Sequence, residues 1–378
     1  MRDSIIYLDY AAATPVDERV LSAMRPYFSE KFYNPSATYP AAKSVARDLA
    51  EARGKVAYWL GARPMEIIFT AGGTEGNNLA IQGIMRQYPD ANVVVSAIEH
   101  ESVLAPAQQY NCRIAPVGKD GSVDAAKLAG LIDENTTLVS VMYANNEVGT
   151  VQSIREIAQI IRAKRAQRAT KLPLYFHTDA CQAANYLDLH ASRLGVDMMT
   201  LNGGKMYGPK QSGVLFVHSS VELEPLILGG GQERNVRSGT ENIAASIGLA
   251  VALDVVQTMR HEESRRLQEL QKYFLEQLAT KLPNSFINGS RKKRLPNNVH
   301  VTIPGADNER LLVELDEAGI MAAAGSACSA SDEEPSHVLR AMGLSDKDAQ
   351  GSLRFTMGRS TDKQMIERTV NVLAHFAA

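Results

Sequence analysis

The chain has 378 residues, 45% of them hydrophobic and 22% charged, with a formal net charge of −2. That is the composition of an ordinary globular protein with room for two domains, and it supplies no electrostatic case for nucleic acid or an anionic membrane. Three cysteines without paired spacing argue against a disulfide framework and against a zinc site.

In chain order, the opening Met1-Arg-Asp-Ser lacks an apolar signal core, and no run of membrane-spanning length stands out, so a cytoplasmic location is expected. Glu66–Phe69 reads as a strand running into the turn Phe69–Asn78, and Asn77–Gln87 as the helix that follows. Strands are then expected at Asn92–Ala97, Leu138–Tyr143, Leu174–His177, Asp197–Leu201 and Gly213–His218. Asp124–Ile132 and Ile154–Gln167 read as crossover helices between them. Strands separated by helices imply an α/β fold with a mostly parallel sheet, helices on both faces and ligands at the strand ends. The runs are short, so periodicity alone does not separate each of them from buried helix. Ile243–Lys281 is a long helical pattern linking this region to a small α+β domain of about a hundred residues; its charged segment His261–Arg266 reads as a solvated face.

Three motifs carry chemistry. Lys205 stands in Leu201-Asn-Gly-Gly-Lys-Met-Tyr-Gly-Pro-Lys210, where a buried strand breaks into a glycine turn. An aldehyde cofactor needs an amine so placed, held at a rigid edge yet free to be displaced. Asp179 ends the apolar strand run Leu174-Tyr-Phe-His-Thr-Asp179, and a pyridoxal phosphate (PLP) ring nitrogen would give that carboxylate a partner. Gln182 is placed to donate to the phenolic oxygen of such a ring. Gly73 and Thr74, in Phe69-Thr-Ala-Gly-Gly-Thr-Glu-Gly-Asn-Asn78, make an anion cradle from backbone N–H groups, a helix N-terminus and a hydroxyl. Taken singly, each has a plainer reading: a solvated loop lysine, a helix-capping aspartate, a turn that binds nothing. Neither the P-loop nor the Rossmann glycine pattern is present.

With cradle, acid and lysine in that order, the chain resembles the fold-type I PLP enzymes of the class V aminotransferase group, and within it the cysteine desulfurases of NifS/IscS type. The resemblance runs nearly end to end, through Tyr7–Pro15, Asn34-Pro-Ser36, Glu99-His100, Asn145–Gly149, Gly229–Arg234, Arg237–Asn242, Gly325–Ser329, Glu334–Leu339 and Arg354–Arg359. It implies a seven-stranded, mostly parallel sheet in a large PLP-binding domain over 16–255, a small α+β domain over 256–378, and an N-terminal segment 1–15 joined to the latter. It also implies residue roles. Cys328, among Gly, Ser and Ala, is the nucleophile that takes sulfur from L-cysteine and carries it as a persulfide. His100 stacks on the ring and moves protons. Arg354 clamps the substrate carboxylate, with Asn34 assisting. Asn145 contacts the ring oxygen, Asn202 belongs to the phosphate site, and Thr240 reaches the phosphate of a neighbouring subunit, which makes the protein a homodimer. Cys112 and Cys181 take structural readings.

The resemblance thus implies a reaction in which L-cysteine becomes L-alanine and the sulfur passes to an acceptor protein, an iron–sulfur scaffold or a thiolation relay. No metal, membrane or direct nucleic-acid contact belongs to it. Three positions depart from the pattern: Asn202 where serine is usual, Gly204 where histidine precedes the lysine, and Tyr39 for a histidine. Relatives also often carry a tail beyond the last helix that docks a scaffold, whereas this sequence ends at Ala378. Selenocysteine lyase, a plain PLP aminotransferase or lyase, and a PLP-fold protein acting only as a scaffold are the alternatives.

Overall fold

The computed structural model describes residues 5–325 and 335–376. Among them run twelve strands: β1 (Ile6–Tyr7), β2 (Ile67–Thr70), β3 (Asn92–Ser96), β4 (Asn111–Ala115), β5 (Thr136–Ser140), β6 (Tyr175–Asp179), β7 (Met198–Asn202), β8 (Gly213–Val217), β9 (Phe286–Ile287), β10 (Asn298–Thr302), β11 (Ile320–Met321) and β12 (Ser352–Thr356). Seven of these make one sheet in the order β2-β8-β7-β6-β5-β3-β4. From β4 to β7 every pairing is parallel; β8 runs against both β7 and β2. Alternate residues face opposite sides of the sheet. Val94, Val139, Phe176 and Met199 join one apolar cluster, while Val93, Val95, Leu138 and Met198 join another on the far side. Both faces are thus covered, which is why the strands read as continuous apolar runs. This is an α/β fold.

A second region has its own apolar cluster. Antiparallel β9, β10 and β12 form one small sheet, and β1 pairs in parallel with β11. Ile6 and Leu8 pack there with Val299, Val301, Leu353 and Phe355, so the start of the chain lies against its end. The helix Ile243–Lys281 serves both clusters. Leu249 and Leu253 enter the first, Leu267, Leu270 and Phe274 the second.

Three expectations need correction. The sequence showed no run of membrane-spanning length, yet this 39-residue helix is long and apolar enough to cross a membrane; 61% of its apolar stretch is buried inside the protein, so that character answers to packing on the two clusters. β5 begins at Thr136 rather than Leu138, because two buried threonines extend it; the Thr136 hydroxyl donates to Asn92 Oδ1 at 2.8 Å. The helix expected from Asn77 starts at Gly73, four residues earlier, so the glycine-rich stretch is its first turn.

Candidate active site

The carboxyl ends of β3, β5, β6 and β7 face one cleft, closed on one side by the first turn of the helix Gly73–Met85. Open parallel sheets bind ligands at this edge, where strand ends leave backbone and side chains unpaired.

Asp179 terminates β6 and is 6% exposed. Asn77 Nδ2 donates to its Oδ2 at 2.8 Å and the Cys181 amide to its Oδ1 at 2.9 Å, so the carboxylate is oriented by two donors. Cys181 also lines the cleft. Burial first, and the Asp179 charge second, push its thiol well above the usual range and keep it protonated. A Cβ at position 73 would come within 2.7 Å of Cys181 Sγ and 3.4 Å of Asn202 Nδ2. Glycine at 73 therefore keeps the cradle open at the helix N-terminus, beside Thr74.

His100 caps the short helix Glu101–Ala107. Its Nδ1 accepts the Ser102 amide at 3.0 Å and lies 2.9 Å from the Ser102 hydroxyl. An Nδ1 that accepts from an amide carries no proton, so the neutral imidazole bears its proton on Nε2. Glu99, the preceding residue, is fully buried: Oε1 accepts the Met142 amide at 2.7 Å and the Ser96 hydroxyl, while Oε2 has no partner among the described residues. Burial raises its carboxyl to about 8, and the Asp179 charge adds to the shift.

Lys205 closes the 3-10 turn Gly203–Lys205, where the Gly203 amide donates to the Ser212 carbonyl at 2.9 Å and the Gly204 amide to Asn202 Oδ1 at 3.0 Å. A Cβ on Gly203 would collide with Ser212 Oγ, so the turn admits only glycine there. Lys205 Nζ donates to the Ala12 carbonyl at 2.6 Å. The same N-terminal segment takes Gln182 Nε2 on the Ala11 carbonyl at 3.0 Å and Lys210 Nζ on the Thr14 carbonyl at 2.7 Å.

Arg354, on β12, lines the cleft opposite these groups with its side chain 2% exposed. It is bonded to Asp9 and to the Asn146 carbonyl. Asn145 does not face the cleft, contrary to its expected role. Its Oδ1 accepts the Glu147 and Val148 amides of its own turn and its Nδ2 donates to the distant Ile98 carbonyl, so both ends of the carboxamide are occupied. The neighbouring Asn146 lines the cleft instead.

A matching family model, Aminotransferase class-V, covers residues 6–369. The chain is 39% identical to a cysteine desulfurase IscS of Dictyoglomus turgidum over 375 residues, 97% of this chain and 93% of that one. Among solved structures it superposes on a NifS-like protein with a TM-score of 0.91 at 29% identity, across 99% of both chains. It also superposes on SspA in complex with cysteine, with a TM-score of 0.81 at 33% identity, over 93% of this chain and 98% of that one.

The chain belongs to the class-V aminotransferase family, among its NifS/IscS-type cysteine desulfurases.

Class-V aminotransferases of this type are PLP enzymes, and the donor set fits that group: an amine at a strand end, a buried oriented carboxylate, a flat imidazole and an N–H cradle kept open by Gly73. Lys205, Asp179, His100, Thr74, Gln182, Asn202 and Arg354 all line the one cleft. Asn34 is exposed and its Oδ1 accepts the Ser36 amide at 2.9 Å, away from that cleft. Thr240 is likewise exposed and outside it. Cys328 lies outside the described residues. Of the departures from the family pattern, Asn202 is in the cleft. Tyr39 is at the surface, 48% exposed, with its ring edge-on to Tyr33. At Gly204 an added Cβ would meet nothing closer than 3.4 Å, so no crowding enforces glycine. Sequence reasoning gave no role to Asn77, Ser102, Asn146 or Asp9, although Asn77 lay in the cradle turn, and Asp9 and Asn146 in the segments Tyr7–Pro15 and Asn145–Gly149.

Proposed function

We propose that the protein is a PLP-dependent cysteine desulfurase that converts L-cysteine to L-alanine and leaves the sulfur on Cys328 for an acceptor protein. The observation that carries this reading is the gathering of Lys205, Asp179, His100 and Arg354 around one cleft. Lys205 would hold pyridoxal phosphate there, and the bound group would supply an electron sink for the substrate carbon.

The chain's own residues do the rest. Asp179, fixed by Asn77 and the Cys181 amide, is placed to keep a pyridine nitrogen protonated. Gly73, Thr74 and the helix N-terminus offer donors to a phosphate, with the Asn202 carboxamide beside them. Arg354 receives the substrate carboxylate. The Lys205 amine and His100 Nε2 exchange protons with the substrate. The Cys328 thiolate attacks the substrate sulfur; the C–S bond breaks, its electron pair stays with carbon, and protonation there gives alanine. Cys181 does not compete for the sulfur, because its thiol stays protonated.

A homodimer, with Thr240 completing the neighbour's phosphate site, agrees with that residue's exposure outside its own cleft. The test is the visible absorption of the purified protein with PLP, before and after L-cysteine, together with alanine and sulfide assays. A Schiff-base band that shifts is expected and, with an added dithiol to reduce the Cys328 persulfide, equal amounts of alanine and sulfide. A band-free protein after PLP addition would rule the reading out.

A further inference from the structure

The Arg354 guanidinium is oriented before any ligand arrives. Nη2 donates to Asp9 Oδ1 at 2.6 Å and Nη1 to the Asn146 carbonyl at 3.1 Å. The third nitrogen, Nε, is buried with no hydrogen-bond partner among the described residues. A guanidinium binds a carboxylate along a flat edge through two parallel N–H bonds. Each terminal nitrogen gives one of its two N–H bonds to a protein acceptor, so the Nε edge is the one with a wholly unengaged nitrogen among the described residues.

Asp9 is itself fixed. Its backbone bridges to Thr356, two residues along β12 from Arg354, and the Tyr7 hydroxyl donates to its carbonyl at 2.9 Å. Its side chain is 18% exposed, beside an arginine that is almost wholly enclosed. A buried guanidinium needs a counter-charge, but a counter-charge alone would not require this geometry. What the pair adds is direction.

We propose that Asp9 is a positioning residue for substrate recognition. It turns the Arg354 fork so that the Nε edge meets an α-carboxylate, and so makes the site select amino acids over amines that lack one. The inference rests on the assignment of Arg354 as the carboxylate clamp. A simple latch at Asp9 would affect all ligands alike. An Asp9 that merely competed with substrate for Arg354 would, when neutralised, improve binding.

The experiment uses the PLP-loaded full chain and two variants, Asp9→Ala and Asp9→Asn. Steady-state kinetics with L-cysteine are read beside spectral titrations with L-alanine, which has the carboxylate, and cysteamine, which lacks it. Asp9→Ala should raise KM for L-cysteine, and weaken L-alanine, by about 10- to 100-fold, the worth of a charge-assisted hydrogen bond. Its kcat should stay within about threefold and its cysteamine affinity should not change. Asp9→Asn keeps an oxygen acceptor for Nη2 and should restore L-alanine affinity to within about threefold of the parent. If Asp9→Ala does not fold, Asp9→Ser takes its place with the same selective loss expected.

Equal losses for L-alanine and cysteamine would reduce Asp9 to a latch and overturn the proposal, as would tighter L-alanine binding in Asp9→Asn. Arg354→Leu is run alongside. Undiminished L-alanine affinity in that variant would remove the clamp and this inference with it. Parent enzyme that binds L-alanine in an Asp9-dependent way, yet forms no alanine and sulfide from L-cysteine, would instead sink the desulfurase reading and leave the role of Asp9 standing.

Discussion

Asp179, at the end of β6, and His100, at the start of the helix Glu101–Ala107, are joined through the Asn77 carboxamide and the Ser102 hydroxyl. Asn77 Nδ2 donates to Asp179 Oδ2 at 2.8 Å and to the Ser102 hydroxyl at 2.9 Å, and that hydroxyl is 2.9 Å from His100 Nδ1. The acid that would face the ring nitrogen and the imidazole that would face the ring therefore share one support on the cradle helix. Asn77→Leu keeps the volume and removes both bonds. Its kcat for L-cysteine should fall about 10- to 100-fold, as for loss of one bond to a charged group. Steady-state rates checked against an unchanged far-ultraviolet circular dichroism spectrum would show it; a normal kcat would leave Asn77 a packing residue.

Glu99 gives a stability signature above neutral pH. Burial lifts its carboxyl from 4.5 to about 8, so between those values the folded chain holds a proton that the unfolded chain has released, and stability falls as pH rises. His177, lowered by burial to about 4, works the other way: its contribution is complete above 6.5 and is lost as pH falls. Of the two groups, only Glu99 acts between pH 6.5 and 8. Glu99→Gln is neutral throughout, so its stability relative to the parent should grow by about 1.4 kcal/mol per pH unit in that window and level off above pH 8. Denaturant melts of cofactor-free protein across pH 6.5 to 9 measure this; parallel profiles would contradict it.

Gly73 and Cys181 should behave as a coupled pair. Gly73→Ala puts a methyl 2.7 Å from the thiol sulfur, and overpacking of this kind costs roughly 1–3 kcal/mol. Adding Cys181→Ala removes the sulfur and should return most of the loss. A double-mutant cycle in thermal unfolding, with a coupling of about 0.5–3 kcal/mol, is expected; purely additive effects would mean the cradle relaxes without help.

The two covalent residues should separate by spectrum. Lys205→Ala should lose the visible Schiff-base band. Cys328→Ser should keep that band, still respond to L-cysteine, and release no sulfide. Normal sulfide release by Cys328→Ser would move the nucleophile to another residue.

What could be read in advance follows a physical divide. β3, β6, β7, β8 and the helices Ile154–Gln167 and Ile243–Lys281 were legible because burial on both sheet faces, or along a helix face, writes long apolar patterns. β4 was not foreseen: Asn111–Ala115 lies at the sheet edge, mostly half-buried or exposed, and lacks that pattern. In the cleft, Lys205 and Asp179 announced themselves through strand-end position. Asn77, Ser102 and Asp9 did not, because the hydrogen bonds that tie them into the site reach across 25 to 345 residues of sequence, and no local spacing records such a partner. The exchange of Asn145 for Asn146 is a one-residue matter of which carboxamide the turn itself consumes.

The N-terminal segment has a consequence for biosynthesis. Ala12 meets Lys205 and Thr14 meets Gly204, while Asp9 meets Arg354 and the Ala11 amide meets the Thr356 hydroxyl, across separations of 190 to 345 residues. Residues 9–14 thus wait for partners that are made 190 to 345 residues later. Until about residue 356 has emerged, Asp9 lacks its arginine and the Ala11 amide its hydroxyl, although Ala12 and Lys205 are both already made. A half-made molecule would offer no complete site to a reactive aldehyde, so assembly order itself would hold the chemistry back until translation is nearly done.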